Sequence, residues 1–277
     1  MRLPPFIKIL RPLNGLIASL TVWISYFIAG GEFNQLSGII AAIAGFLFNG
    51  FANSVNDIID IEIDRINRPD RPLSSGKMSR KSAIIESGIL GLSALVLSAS
   101  LGVKTSVIGL IAIVCMVTYN IKLKNIPLLG NIMVSFTAAL AFLYGGAAYG
   151  ELSPVWLPAV FAFLLHLGRE IIKDIEDIKG DSAMGAKTLP IVLGIGLSRK
   201  LTAMVLAVFI VVTLLPIILQ HYGIGYSILI FLIDIVLFVI IWGLLRVREI
   251  NAAMISQTLK ALMPLGIAAV YLGVIGL

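Results

Sequence analysis

Residues 38–65, GIIAAIAGFLFNGFANSVNDIIDIEIDR, join an apolar run to an acidic end. The run at 38–55 carries no charged residue and suits a membrane-spanning helix, which needs about 20 mostly apolar residues. Three aspartates follow at once, Asp57, Asp60 and Asp64. The stretch therefore predicts a membrane helix that leads into a carboxylate-rich segment.

The composition of the chain extends this prediction to the rest of the molecule. Of its 277 residues, 58% are hydrophobic and 13% are charged, and the mean hydropathy is +1.01. Such values exclude a disordered chain and an ordinary soluble domain. The apolar runs that could cross a bilayer as helices are 14–30, 38–55, 82–101, 104–121, 131–149, 154–172, 198–220, 222–245 and 258–277. We predict an all-α polytopic membrane protein, a bundle of nine transmembrane helices around a central cavity, forming one domain over residues 1–277. The short stretches GVKT (102–105) and QHYGIG (220–225) predict tight hairpins.

The basic residues predict how the bundle is oriented in the cell membrane. With nine spans, 20 of the 21 Lys and Arg residues fall on one side, and Lys104 falls on the other. Basic loops stay in the cytoplasm, so the N-terminus and the aspartate-rich motifs are expected there and the C-terminus outside. The first residues lack a secretory cleavage site, and we expect no processing.

Two further features of the composition suit a membrane protein. Most of the net charge of +6 comes from basic residues that orient the chain in the membrane. The sequence has no soluble basic domain and no aromatic platform for bases, so we expect no nucleic-acid partner. Cys115 is the single cysteine, so no internal disulfide is possible, and packing in the core is its expected role.

The acidic pattern of the first motif occurs a second time. Asp174, Asp177 and Asp181 repeat its spacing 117 positions later, again where an apolar run meets the cytoplasm. On a helix such residues share one face, and crowded carboxylates repel one another unless a cation lies among them. Oxygen ligands without nearby His or Cys favour Mg²⁺. A single D-x-x-D pattern would indicate only a solvent-exposed helix end. Two copies of the pattern favour a metal site that binds a diphosphate. The predicted metal ligands are Asn56, Asp57, Asp60, Asp64, Asp174, Asp177 and Asp181.

Basic and polar residues near the motifs are candidates for binding phosphate. In the loop DRINRPDRPLSSGKMSRK (64–81) we favour Arg68 and Arg71, since the guanidinium fork fits phosphate oxygens. We assign Arg80 and Lys81 to the orientation of the chain in the membrane. The loop TYNIKLKNIPLLGN (118–131) adds further candidates, although interfacial Tyr and Lys are also common membrane anchors. The predicted substrate-binding residues are Asn14, Asn53, Arg68, Arg71, Tyr119, Lys122, Lys124, Asn131 and Lys173.

These motifs resemble those of the UbiA superfamily of intramembrane prenyltransferases. N-D-x-x-D-x-x-x-D begins at Asn56, the second acidic motif begins at Asp174, and LRPLNGL (10–16) and NRPDRPLSSGKMS (67–79) are similar to the first-helix and basic-loop signatures. A frequent Y-x-x-x-K pattern of the family is altered here, because lysines stand three and five positions after Tyr119. The resemblance implies nine helices and Mg²⁺-dependent transfer from a prenyl diphosphate. It implies catalytic roles for Asp60, Asp64, Asp177 and Asp181.

The stretch REIIKDIEDIKGD (169–181) is most similar to the archaeal ether-lipid branch of that superfamily. That likeness implies transfer of a geranylgeranyl group from geranylgeranyl diphosphate to the free hydroxyl of geranylgeranylglyceryl phosphate, with membrane lipid as the surroundings. The alternative is an aromatic acceptor such as 4-hydroxybenzoate or a quinone precursor. Asp64 is one candidate for the base that accepts the proton of the acceptor hydroxyl.

An ion-coupled transporter is a more distant reading of the carboxylates. Its charges should lie near the membrane midplane, whereas the acidic motifs here lie at span ends beside a basic loop. Asp234 does lie within a predicted span, where it should either bond to a neighbouring helix or line a cavity.

Overall fold

The computed structural model describes residues 3–183 and 185–276, without the side chain of Asn67. Arg2, one of the 20 basic residues expected on the cytoplasmic side, and Leu277, the last residue of the predicted span 258–277, lie outside the described residues. Within the described ranges the chain is all-α, as predicted. Its α-helices are α1 (Pro5–Lys8), α2 (Pro12–Ile28), α3 (Leu36–Ile59), α4 (Ile61–Asn67), α5 (Arg80–Leu101), α6 (Val103–Ile121), α7 (Leu129–Tyr149), α8 (Trp156–Glu176), α9 (Ile178–Ala183), α10 (Leu189–Thr213), α11 (Leu215–Ile218), α12 (Ile224–Arg246) and α13 (Ala252–Val274).

Nine of these helices coincide with the nine predicted spans. Over the part of the chain that the structure describes, eight helices are long and apolar enough to cross a membrane, and α2 is an apolar helix of 17 residues. The prediction of a polytopic helical membrane protein is confirmed. The two predicted hairpins are also confirmed, since Gly102 alone separates α5 from α6 and residues 219–223 separate α11 from α12.

The edges of two spans differ from the prediction. Helix α3 continues to Ile59, so Asn56 and Asp57 lie within it rather than beyond its end. Helix α10 begins at Leu189, nine residues before the predicted edge at 198. Arg199 and Lys200, which the prediction places near the start of the span, therefore lie inside the helix. A sharp break at Gly194 (φ 82°, ψ 154°) interrupts α10 near its start.

The chain divides into two compact units. The first contains the residues up to Lys122 and Leu140–Trp156; the second contains Leu123–Ala139 and the residues from Leu157 onward. The expectation of a single domain over 1–277 stays a prediction.

In the first unit α3 packs against α2, α5 and α6. Small residues let these helices approach closely, as a Cβ at Gly45 would lie 2.9 Å from Val22 and one at Gly109 would lie 2.8 Å from Phe48. Phe48 also meets Tyr144 edge to face, with ring centroids 5.7 Å apart. This packing makes α3 the central helix of the unit.

A small apolar cluster fixes the loop that follows the first acidic motif. Ile9, Leu73 and Ala83 are buried together, and Ile58 of α3 packs against them. The ammonium of Lys8 donates to the main-chain oxygen of Asp70 at 2.7 Å. The N-terminal segment, the basic loop and the end of α3 are therefore held together.

The second unit is built on α8, α10, α12 and α13. Leu167 and Ile171 of α8 pack with Leu189 of α10, and α12 packs against both α10 and α13. The guanidinium of Arg199 donates to the main-chain oxygens at the end of α12, those of Gly243, Leu244, Val247 and Arg248. Among these, the carbonyl of Leu244 lies in the last turn of α12, where a helix leaves its carbonyls without an intrahelical partner.

Candidate active site

Each acidic motif lies across a junction between two helices. Asp60 stands between α3 and α4, and Asp177 stands between α8 and α9. The backbone bonding continues through both junctions: the amide of Asp64 donates to the oxygen of Asp60 at 2.8 Å, and that of Asp181 to the oxygen of Asp177 at 3.0 Å. The spacing of the aspartates predicts that each motif lies on one helix, whereas in the structure the chain bends at the middle aspartate of each motif.

The C-terminal end of α3 carries two polar pairs at a spacing of four residues. Asn53 and Asp57 form the first pair, and both bond to Arg11, the residue before α2. The guanidinium of Arg11 donates to the side-chain oxygen of Asn53 at 3.1 Å and forms an ion pair with Asp57. Asp57 is 2% exposed, so this carboxylate depends on its partners for compensation.

Asn56 and Asp60 form the second pair. The amide of Asn56 donates to a carboxylate oxygen of Asp60 at 3.0 Å and to the side-chain oxygen of Asn120 on α6 at 2.9 Å. Asn120 was not predicted; its signal in the sequence is a polar amide at the end of an apolar run, next to Tyr119. This pair thus points towards α6, while the first pair points towards the start of α2.

Arg71 connects the first motif to the basic loop. Its guanidinium donates to Asp57 at 3.0 Å and also to Asp64. Both carboxylates are buried, and Arg71 itself is 15% exposed. Two carboxylates of the motif are therefore neutralised by arginine side chains in this structure.

The other basic residues near the first motif have more exposed positions. Arg68 is exposed, and its backbone amide bonds to the oxygen of Asp64 at 2.8 Å. Arg65 pairs with Glu62 three residues earlier, and both side chains are mostly exposed. Lys122 is exposed at the end of α6. These residues can meet a ligand without first leaving a buried partner.

The second motif has a hydrogen-bonded and an exposed part. The amide of Asn131 on α7 donates to a carboxylate oxygen of Asp174 on α8 at 2.8 Å. Asp177 is exposed at the junction, while Asp181 is half-buried in α9. Burial raises the pKa of the Asp181 carboxyl, and the nearby charge of Asp177 raises it further, although Lys124 and Lys173 act in the opposite direction. A cation would relieve the repulsion between the two carboxylates.

The remaining predicted residues are placed near their expected segments. Asn14 lies in the first turn of α2, and Tyr119 lies on α6 beside Asn120. Lys124 lies in a short 3₁₀ turn between α6 and α7. Asp234, on α12, accepts a hydrogen bond from the hydroxyl of Thr213 on α10 at 3.2 Å. This matches the first of the two roles considered for Asp234, a bond to a neighbouring helix.

The donor chemistry of both motifs fits Mg²⁺. In residues 3–183 and 185–276 no three His, Cys, Asp or Glu side chains are grouped as a metal site, and Arg71 engages Asp57 and Asp64 instead. The amide oxygen of Asn56 and the carboxylates of Asp60 and Asp64 nevertheless supply oxygen donors within two helical turns. Such donors without imidazole or thiolate are those that Mg²⁺ prefers.

A family comparison gives this arrangement its context. The model of the UbiA prenyltransferase family matches residues 18–262, which include both acidic motifs. The chain belongs to the UbiA prenyltransferase family. It is therefore an intramembrane prenyltransferase, and the resemblance stated from the motifs is confirmed.

Individual relatives of this UbiA prenyltransferase cover almost its whole length. A digeranylgeranylglyceryl phosphate synthase of Thermococcus kodakarensis is 38% identical over 262 residues, 94% of this chain and 93% of that protein. A solved digeranylgeranylglyceryl phosphate synthase structure is 33% identical with a TM-score of 0.85, covering 99% of this chain and 98% of the other. A UbiA homolog from Archaeoglobus fulgidus, bound to GPP and Mg²⁺, is 20% identical with a TM-score of 0.78, covering 99% and 100%. The last comparison shows that the fold is shared.

Proposed function

We propose that this UbiA prenyltransferase moves a geranylgeranyl group from geranylgeranyl diphosphate to the free hydroxyl of geranylgeranylglyceryl phosphate. The product is the second ether of an archaeal membrane lipid, and diphosphate is released. The observation that carries the proposal is the similarity to digeranylgeranylglyceryl phosphate synthases over nearly the whole of both chains. The acidic motifs and the basic loop support it through their chemistry.

The oxygen donors of each motif would bind Mg²⁺. Asn56, Asp60 and Asp64 serve in the first motif, and Asp177 and Asp181 serve in the second. Bound Mg²⁺ supplies charge stabilisation for the leaving diphosphate. That a UbiA homolog has been solved with GPP and Mg²⁺ supports this choice of metal.

In this proposal, basic side chains bind the diphosphate and stabilise its negative charge. Arg68 is exposed, so its guanidinium is available to phosphate oxygens. Lys122, Lys124 and Lys173 would add positive charge in their own segments, and the neutral side chains of Tyr119 and Asn131 would add hydrogen bonds. Positive charge near the departing diphosphate would stabilise the charge that develops on it.

Prenyl transfer follows from cleavage of the allylic carbon–oxygen bond. The bonding electron pair leaves with the diphosphate, and the allylic carbon then accepts a lone pair from the acceptor hydroxyl. The new carbon–oxygen bond forms as the hydroxyl proton passes to a carboxylate, for which Asp64 is our candidate. The apolar helices exclude water, which would otherwise capture the allylic cation.

The reaction takes place at the cytoplasmic side in this proposal. Basic residues lie in the segments that would face the cytoplasm, including the loop after the first motif, while Lys104, in the first turn of α6, would lie on the opposite side. The N-terminus and the active site would be cytoplasmic and the C-terminus outside.

The metal assignment is tested with neutral replacements of similar size. We expect Asp60→Asn and Asp177→Asn each to lower Mg²⁺-dependent release of diphosphate at least about 100-fold, since each removes a charged group that acts on the leaving group. Release is measured with purified enzyme in lipid nanodiscs, supplied with geranylgeranyl diphosphate and geranylgeranylglyceryl phosphate.

Two exposed acids provide matched controls for this experiment. Asp70 lies in the basic loop, where its main-chain oxygen makes the described bond to Lys8, and Glu176 is the neighbour of Asp177. Asp70→Asn and Glu176→Gln should retain nearly full turnover. Normal turnover in the Asp60 and Asp177 variants would refute the metal assignment.

The acceptor is tested separately by competition. We expect turnover with geranylgeranylglyceryl phosphate and little with 4-hydroxybenzoate when both are offered to the wild-type enzyme. Transfer to the aromatic acid instead would leave the prenyltransferase assignment intact and overturn the proposed acceptor.

A further inference from the structure

The first turns of α10 contain an apolar segment, residues 192–197, that is exposed on every side. All six of its residues are exposed, while Pro190 and Ser198 next to it are buried. Four large side chains of the segment are between 43% and 51% exposed: Val192, Leu193, Ile195 and Leu197. A continuous apolar surface of this kind indicates contact with lipid or with another protein.

The chain turns back within the apolar segment. Leu206 of α10 lies beside Gly168 of α8, where a Cβ would be only 2.8 Å from it. In a straight helix Leu189 would be about 25 Å from Leu206 along the axis. Leu189 is nevertheless buried in one cluster with Leu167 and Ile171, which flank Gly168 in α8. Both sides of the apolar segment are therefore held on α8, and the segment forms the exposed bend between them.

The bend depends on Gly194, whose backbone does not continue an α-helix. Its φ of 82° and ψ of 154° interrupt the helix, and the hydroxyl of Ser198 donates to its main-chain oxygen at 3.0 Å. Backbone groups beside such a break need water or other polar partners, and the hydrocarbon interior of a bilayer does not supply them to a surface that faces lipid. An exposed bend is therefore unsuited to the interior of the bilayer.

The four large apolar side chains of the segment are equally unsuited to water. Removal of apolar surface from water is favourable in proportion to its area, and close to half of each of these residues is exposed. The boundary between lipid head groups and hydrocarbon meets both requirements. Apolar side chains can insert there while backbone groups still reach water and head groups.

Basic residues on both sides of the apolar segment agree with a position at this boundary. Lys187 precedes the segment and Lys200 follows it, and both are exposed. Arg199 donates to main-chain oxygens at the end of α12, so the segment lies close to the level at which α12 ends with Arg246. Basic side chains next to an apolar surface are suited to the phosphates of lipid head groups.

We propose that residues 192–197 insert into the boundary between lipid head groups and hydrocarbon, as a lipid-binding segment that follows the second acidic motif. Lys187 and Lys200 contact head-group phosphates on either side of it. Lipid suits the segment better than a second copy of this chain, because two copies would bring their lysines together and repel each other. Only a short connection separates α9, which carries Asp181, from α10, so the inserted segment also ties the motif to the membrane surface. The inference does not depend on the proposed substrates.

Spin labels measure the depth of the segment in the bilayer. In a Cys115→Ser background, Leu193→Cys and Ile195→Cys are each labelled with a nitroxide, and the protein is placed in liposomes. Collisions of the label with oxygen, which concentrates in lipid, are compared with collisions with a water-soluble nickel chelate. We expect both labels to lie about 5–10 Å below the lipid phosphates. Val208→Cys, at an exposed position in the middle of α10, should lie deeper, and Lys77→Cys, in the exposed basic loop, should collide mainly with the chelate.

Two results would overturn the proposal. Labels at 193 and 195 that are as open to the nickel chelate as the label at 77 would place the segment in water. Labels that are shielded from both oxygen and the chelate would show that protein covers the segment, and dipolar broadening between nitroxides would identify that cover as a second copy. The thermal midpoint of each labelled variant, compared with that of Cys115→Ser, shows whether the label has disturbed the fold.

Discussion

At the scale of single residues, Arg71 is the side chain on which the first motif most depends. It lies between Asp57 and Asp64, two buried carboxylates that repel each other when they are both ionised. Removing one partner of a buried ion pair costs more than the pair itself contributes, because the remaining charge loses its compensation.

We expect Arg71→Met to lower the free energy of unfolding by about 3 kcal/mol. Thermal unfolding in detergent, followed by tryptophan fluorescence, would measure the loss. Arg65→Met is the matched control, since Arg65 and Glu62 are 58% and 77% exposed and such pairs contribute less than about 1 kcal/mol. Equal losses in the two variants would contradict the central position given to Arg71.

The residue types of the site could be predicted from the sequence, but their partners could not. The spacing of the aspartates and the basic loop identifies Asp60, Asp64 and Arg71 as a group. The bond between Arg11 and Asp57 joins residues 46 positions apart, and that between Asn56 and Asn120 joins residues 64 apart. Such pairs form when α2, α3 and α6 pack together, and no local pattern reports this packing.

At the scale of helices, the apolar runs predict which segments are helical, while the breaks depend on single residues. The runs identify nine helices, because about 20 apolar residues leave little choice of structure in a membrane. The break in α10 depends on Gly194, where φ is +82° and a Cβ would meet no other atom within 4 Å. A larger residue at position 194 should therefore destabilise the protein through backbone strain, and not through a steric clash.

The neighbouring Gly196 gives a direct comparison for this break. We expect Gly194→Ala to destabilise the protein by about 1–2 kcal/mol, since a Cβ disfavours the left-handed region. Gly196 also has open space but lies in the helix without a positive φ, so Gly196→Ala should stabilise by about 0.5 kcal/mol. Thermal midpoints of the two variants should move in opposite directions, and a shift in the same direction would refute the explanation.

At the scale of the whole molecule, the distribution of basic residues predicts the orientation in the membrane. Lys77 lies in the exposed basic loop before α5, and Ser153 lies in the exposed connection between α7 and α8. The two segments should face opposite sides of the bilayer in the proposed topology.

Cysteine labelling of intact cells tests this orientation, and the chain suits the method because Cys115 is its one cysteine. In a Cys115→Ser background, Ser153→Cys should react with a membrane-impermeant maleimide from outside. Lys77→Cys should react only after the cells are opened. The reverse pattern of labelling would place the acidic motifs outside the cell and contradict the proposed topology.

The buried position of Ile9 and the bond from Lys8 to the loop at Asp70 have a practical consequence for handling the enzyme. An affinity tag or fusion partner attached just before Lys8 and Ile9 would disturb their contacts with the loop that carries Arg71. Purification tags are therefore better attached after α13, where they would not disturb the contacts of Lys8 and Ile9 with the loop that carries Arg71.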